Sequence, residues 1–273
     1  MMTNTSDEVL IDAAGQRHKP HDGPARIVSL VPSLTELVCD LGLAPQLVGR
    51  TGFCIHPRPA LRAVTKVGGT KDVNLARLRA LAPTHIIVNV DENRRECVEE
   101  IASFVPNVIV THPCAPEDNL PVYRLLGAIF HRRAESEQLA AALDAALAEG
   151  RAVGAALPRE KVLYLIWREP WMTVAQGTYI AATLAAVGWD TRPVLSEPRY
   201  PAFEWNAPWL PEVQRVFLSS EPYRFRERHV EEVERLSGLP ASLIDGEMAS
   251  WYGSRAIEGL RHLAALRRRL AAE

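Results

Sequence analysis

From Arg133 to Leu157 the chain runs without a proline, although twenty prolines punctuate the rest of its 273 residues. Within that stretch Leu139, Leu143, Ala146, Gly150, Val153 and Leu157 recur at helical spacing, so one long alanine-rich helix is predicted. At about 1.5 Å of rise per residue, its roughly 25 residues extend about 37 Å, enough to reach from one lobe to another. A chain with such a rod in its middle must build folded material on both sides of it, and this length allows two lobes of roughly 130 residues each.

Both flanks read as alternating strands and helices. Ile27 to Val31 is a short apolar run ended by Pro32, and Ser33 to Glu36 has the S-x-x-E spacing of a helix-capping box. Leu75 to Leu81 is helical in period, His85 to Val90 reads as a buried strand, Glu92 to Phe104 as an amphipathic helix and Asn107 to Thr111 as a strand. After the rod, Lys161 to Trp167, Val213 to Ser219 and Ser242 to Asp245 read as strands. Thr178 to Val187, Arg226 to Leu236 and Ser254 to Ala272 read as helices. The expected fold is α/β: two lobes with mostly parallel sheets joined by one long rigid helix. The expected boundaries are a flexible tail over 1-24, an N-terminal lobe over 25-132, the connecting helix over 133-158 and a C-terminal lobe over 159-273. The tail rests on the polar composition and on Gly15, Pro20, Gly23 and Pro24.

Composition excludes several classes. With 31 Lys+Arg against 33 Asp+Glu, the chain lacks the basic excess that phosphate-backbone binding requires, so nucleic acid is not an expected partner. No run approaches the 18 or so apolar residues of a membrane span. The first residues carry acids, no basic region and no apolar core of a signal peptide, so the chain as written is expected in the cytoplasm, and in the periplasm if the true start lies upstream. Cys39, Cys54, Cys97 and Cys114 form no C-x-x-C pair and read as reduced, buried thiols. His18 and His21 lie in the expected tail, His56, His85 and His112 have no local ligand spacing, and no metal site is expected. Gly68-Gly69-Thr70-Lys71 lacks the spacing of a phosphate loop and reads as a turn before a helix capped by Asn74.

The aromatic residues are distributed unevenly. Before residue 160 there are only Phe53, Phe104, Tyr123 and Phe130, whereas all six tryptophans lie beyond it. Many occupy connections: Trp167-Arg168-Glu169-Pro170-Trp171, Tyr200 to Trp205, and Trp251-Tyr252-Gly253-Ser254-Arg255. Loops are where a rigid scaffold displays binding groups, and aromatic faces suit a large flat ligand, although the same residues could equally plug gaps between loop and core. Glu169 and Tyr252, inside these aromatic loops, join the candidate ligand-binding residues.

The segment Arg26 to Glu36, the run Leu81 to Val88, the long central helix and the segment Trp251 to Arg255 together resemble the substrate-binding proteins of ABC importers that have a helical backbone and carry cobalamin or iron chelates. The likeness covers about residues 25 to 270. It implies a ligand cleft between the lobes, no covalent cofactor and no enzymatic step. It also implies Pro32, Ser33 and Phe53 on one wall, Trp167, Trp171, Tyr200 and Trp251 on the other, and Arg255 near the ligand edge. Asn89 stands where cobalamin binders tend to have a tryptophan, and Ser250 where they tend to have an aspartate. Glu96 and Glu204 are the nearest candidates for the carboxylates that dock on a permease.

The expected function is non-enzymatic binding of a large metal chelate, a corrinoid such as cobalamin ahead of a ferric siderophore or haem. An intracellular enzyme handling a corrinoid or its metal in the same cleft is the alternative, with Glu169, His56 and Asp245 as its candidate acid/base groups. A protein-binding module built on the aromatic residues is the third.

Overall fold

The structure, a computed structural model, describes residues 9–273. A hairpin of β1 (Leu10–Ile11) and β2 (Arg17–His18) comes first. The first sheet then takes β3 (Ile27–Ser29), β4 (Leu47–Arg50), β5 (Thr65–Lys66), β6 (His85–Asn89) and β7 (Asn107–Thr111) in the order β5-β4-β3-β6-β7, all parallel. Between them lie α1 (Pro32–Asp40), α2 (Arg58–Leu61), α3 (Leu75–Ala80) and α4 (Arg95–Ala102), followed by α5 (Asn119–Ile129). The long helix is α6, Arg133–Ala156. Beyond it, β8 (Glu160–Trp167), β9 (Met172–Thr173), β10 (Trp189–Thr191), β11 (Arg215–Ser219) and β12 (Ala241–Ile244) form a second sheet. Its order is β10-β8-β11-β12, parallel throughout except for β9, which runs antiparallel to β8. Helices α7 (Tyr179–Ala186), α8 (Glu227–Ser237), α9 (Gly246–Ser250) and α10 (Arg255–Leu270) accompany this sheet.

The chain divides into two compact units. One holds the residues up to Pro113 and Asp118–Ala141; the other holds Cys114–Glu117 and Ala142–Glu273. The division falls inside α6 rather than at its ends, because different turns of the helix pack in different places. Ser136 lies so close to Gly127 that a Cβ there would come within 2.5 Å of its hydroxyl, whereas a Cβ on Gly154 would meet the backbone of Gly188 at 2.9 Å. Ser136, Ala140, Leu143, Ala146, Leu147, Gly150, Val153 and Gly154 make the buried stripe, close to the stripe expected from spacing.

Each sheet is buried on both faces, which is why its strands read as near-continuous apolar runs. In β8, Val162, Tyr164 and Ile166 join Trp189 and Phe217 on one face, while Leu163 and Leu165 join Val216 and Leu218 on the other. In the first unit Val28, Ile86, Val88 and Val108 pack with Leu78 of α3 and Ile101 of α4. Side chains start several helices: Asn74 accepts the Arg77 amide at 2.9 Å, Thr178 the Ala181 amide at 3.3 Å and Asp245 the Met248 amide at 3.3 Å.

Two sequence expectations change here. The capping box at Ser33 does not form. Pro32 is already the first helical residue, a position that suits its fixed φ and missing N–H, so Ser33 lies inside the helix and Val31 is an N-cap without a side-chain bond. The segment read as a tail is ordered over the hairpin, and residues 1–8 lie outside the described residues. The Asp12 carboxylate accepts from the amides of Ala14 and Gln16 at 2.9 Å and of Val110 at 3.0 Å, and lies 3.0 Å from His18 Nε2. The Ala13 amide donates to the Val110 carbonyl at 3.0 Å. These bonds attach the hairpin to the outer side of β7, supplying the edge with partners it would otherwise lack.

Candidate functional site

In parallel open sheets, ligands collect beyond the carboxyl ends of the strands. In the first unit that end carries an exposed apolar surface: Phe53 is 63 % exposed, Val90 52 % and Ile55 42 %. Phe53 stands on the loop after β4, beside Gly69, where an added Cβ would lie 3.4 Å from its ring. Arg50, the last residue of β4 and itself buried, fixes that loop. Its guanidinium donates to the carbonyls of Thr51 at 3.1 Å and Cys54 at 2.9 Å, and twice to that of Leu61 at 3.2 and 3.3 Å. Cys54 Sγ lies 3.0 Å from Thr35 Oγ1 and 3.1 Å from Thr51 Oγ1, pinning the loop against α1. Burial pushes the Cys54 thiol up, although hydrogen bonds from Thr35 and Thr51 oppose that shift. Phe53 is thus an apolar ring held out by a loop with little freedom.

The other residues expected on this wall behave differently. Pro32 is half-buried at the start of α1, and Ser33 is 3 % exposed, with a buried hydroxyl that has no hydrogen-bond partner. Asn89 is 2 % exposed and fully occupied. Its carbonyl oxygen accepts the Asp91 amide at 2.8 Å, its amide group donates to Thr111 Oγ1 at 3.3 Å, and its backbone N–H donates to Asn93. Asn93 in turn donates to the Thr70 carbonyl. Asn89 therefore builds the turn that displays Val90 and is not itself displayed. His112 lies 3.5 Å from Asp91 on the same edge. Glu96 is exposed in the first turn of α4.

In the second unit the matching loops follow β8, β11 and β12. Trp167 closes β8 with 40 % of its surface exposed, its indole N–H donating to the Glu169 carbonyl at 3.2 Å and its ring edge-to-face with Tyr223. Glu169 is exposed and paired with Arg168, which also makes a two-pronged bond to Glu232 at 2.7 and 3.1 Å. Trp171 is half-buried, stacked parallel to Phe225 and edge-on to Trp205. Tyr200 is half-buried against the core, in a segment tied to β9 by bonds from Thr173 to Pro201 and from Phe203 to Trp171. Glu204 is exposed beside it.

Trp251 and Tyr252 sit deeper, 9 % and 7 % exposed. The Trp251 indole N–H donates to Glu221 at 2.6 Å, and Ser250 Oγ donates to the same oxygen at 3.1 Å. Tyr252 packs edge-on against Tyr179. Arg255 lies over the Trp251 ring, 4.9 Å from its centroid, and pairs with Glu247 at 3.0 Å. Glu221 and Arg50 are site residues that sequence reading missed. Arg50 shows as a lone charge ending an apolar strand, but nothing local marks Glu221. Among the described residues no group of three His, Cys, Asp or Glu side chains could hold a metal ion.

Residues 27–191 match the model of the family described as periplasmic binding protein. The chain belongs to that family. The vitamin B12-binding protein of Photorhabdus laumondii is 29 % identical over 100 residues, which is 37 % of this chain and 36 % of that one. The vitamin B12-binding protein of Pectobacterium carotovorum is 29 % identical over 119 residues, 43 % of this chain and 42 % of that one. The match thus spans about two fifths of the length of these curated relatives. Among solved structures, the periplasmic vitamin B12 binding protein BtuF of Vibrio cholerae superposes with a TM-score of 0.78 at 17 % identity, covering 92 % of this chain and 99 % of its own. The periplasmic heme-binding protein RhuT from Roseiflexus sp. RS-1 gives 0.76 at 18 % identity, covering 90 % and 98 %. This binding protein therefore has the two-lobe α/β fold expected from its sequence.

Proposed function

We propose that this periplasmic binding protein holds a large metal chelate without acting chemically on it, a corrinoid ahead of haem or a ferric siderophore. The observation that carries the reading is the pair of exposed aromatic rings, Phe53 in the first unit and Trp167 in the second. Each is held on a constrained loop at the carboxyl end of its own sheet, and each offers apolar area to a flat macrocycle. Val90 and Ile55 enlarge the first surface; Trp171, Tyr200, Trp251, Tyr252 and Arg255 support the second. Pro32 and Ser33 open α1 just beyond β3. The names of the curated relatives favour cobalamin over the other chelates. The enzymatic alternative gains nothing from the geometry: Glu169 is engaged with Arg168 and Asp245 caps α9.

Family membership supports a place outside the cytoplasmic membrane and delivery to an ABC permease, with the exposed carboxylates of Glu96 and Glu204 as docking points. No described helix is long and apolar enough to cross a membrane. Titrating the purified protein with cyanocobalamin, cobinamide, haemin and a ferric siderophore, followed by tryptophan fluorescence, tests the ligand. Saturable quenching is expected, tightest with the corrinoids, and a flat response to all four refutes the proposal. Fractionation of native cells tests the compartment: recovery only with cytoplasm would remove the permease from the account.

A further inference from the structure

In the second unit a chain of hydrogen bonds runs from the sheet core to the loop that carries Trp251. Fully buried Tyr164 on β8 donates through its hydroxyl to Ser219 Oγ at 2.9 Å. Ser219 Oγ donates to the Glu221 carbonyl at 2.6 Å. The Glu221 side chain is wedged against Gly246, where any Cβ would come within 2.6 Å of Glu221 Cγ. Its carboxylate then receives both Trp251 Nε1 and Ser250 Oγ on one oxygen. The Arg255 guanidinium lies on the Trp251 ring and also pairs with Glu247. The indole is therefore fixed at its N–H by an anion and on its face by a cation.

We propose, resting on the ligand-binding reading above, that Glu221 is a positioning residue of the second unit's binding surface: its carboxylate sets the Trp251 indole and the Arg255 side chain on it, so that losing the anion loosens the grip on ligand. Burial works against the charge and pushes the carboxyl up, as do Glu247 and Asp245 on α9, while the bonds from Trp251 and Ser250 pull the other way. Tyr164, from β8, and Arg255, from α10, are the other titratable groups of this cluster. A half-buried carboxylate that takes two hydrogen bonds on one oxygen against that opposition orients the groups that donate them.

The sign of the effect separates positioning from support. A carboxyl whose value is raised in the folded state stabilises the fold when protonated, and that contribution is lost as pH rises through the raised value. Acidification should therefore strengthen the fold at this group while weakening the charge-assisted bond to the indole. The test is cyanocobalamin affinity from pH 5 to 8, beside melting temperature and near-ultraviolet circular dichroism, for the wild type and Glu221→Gln. Glu221→Gln should melt at or above the wild-type temperature, bind about tenfold more weakly at pH 8, the scale of one hydrogen bond to a charged group, and lose the pH-dependent part of the affinity profile and of the tryptophan dichroism. Equal affinity and the same pH profile in the two proteins would overturn the proposal while leaving the ligand reading intact. A Glu221→Gln protein weakened in binding only in proportion to a lower melting temperature would also overturn it. Absence of cyanocobalamin binding by the wild type at every pH would overturn the cobalamin reading, and this proposal with it.

Discussion

Replacing Phe53 by alanine separates displayed from structural aromatics most sharply. A phenylalanine side chain offers on the order of 200 Å², and Phe53 leaves 63 % of its surface exposed, so about 125 Å² is available to a ligand. At about 25 cal/mol per Å² this is a ceiling of about 3 kcal/mol, and partial coverage by a curved macrocycle brings the expected loss to about 1–3 kcal/mol in binding. The loop itself is held by Arg50, Thr35 and Thr51, none of which touches the ring through the bonds described, so the melting temperature of Phe53→Ala should stay within about 2 °C of wild type. Trp251→Ala is the contrast. At 9 % exposure the indole meets a ligand over a narrow edge only, and its removal leaves a cavity and strands Glu221, so beside any loss of binding the fold should lose about 3–5 kcal/mol. Cyanocobalamin titrations and thermal melts of both variants measure the two quantities separately. Unchanged affinity in Phe53→Ala would refute the assignment of the first unit's exposed ring to ligand contact.

Three further outcomes concern the scaffold. Burial, with His21 and His18 nearby, pushes His85 down to about 4; a lowered histidine contributes stability that is full above about pH 6.5 and lost as pH falls towards 4, roughly 3 kcal/mol in all, so melts between those values should flatten in His85→Gln, and an equally steep wild-type and variant profile would sink the account. Gly154→Ala should destabilise the second unit, even though alanine gains about 1 kcal/mol in a helix interior, because the new Cβ would meet the backbone of Gly188 and Val187 at 2.9 and 3.0 Å; a raised melting temperature would contradict it. Glu160 accepts from Trp189 Nε1, Arg215 and Arg267 at 2.9, 3.0 and 2.7 Å, and Glu160→Ala, leaving the buried Arg267 and half-buried Arg215 guanidinium groups without this carboxylate, should cost about 3–5 kcal/mol in urea unfolding.

What the sequence made legible was what repeats along a short window. The rod was readable because a proline-free, alanine-rich stripe has one periodic solution, and β8 because a run buried on both faces has few alternatives. The hairpin was not readable. Its order comes from Asp12 reaching the Val110 amide, 98 positions away in the chain, and a window over a short, mostly polar segment has no means of registering that bond. The same holds for β4 and β10, whose short lengths carry too little pattern to stand out from loop. Asn89 illustrates a related point: a position inherited from relatives says where a residue stands, while its hydrogen-bond partners decide whether it faces out.

Two tryptophans of the aromatic segments end in opposite states. Trp167 closes β8 just before Arg168, Trp251 follows α9 between Ser250 and Tyr252, and each indole N–H finds an acceptor. Trp167 finds its partner two residues on, at the Glu169 carbonyl, so the bond closes within its own loop and the ring can stay at the surface. Trp251 finds Glu221, thirty residues away, and a donor answered by a distant, half-buried carboxylate is drawn beneath the surface towards it. For these two rings, display follows where the N–H goes. The exposed aromatics that define the binding reading are those whose polar requirement, if any, is met locally: Trp167 through a neighbouring carbonyl, and Phe53, which has none to meet.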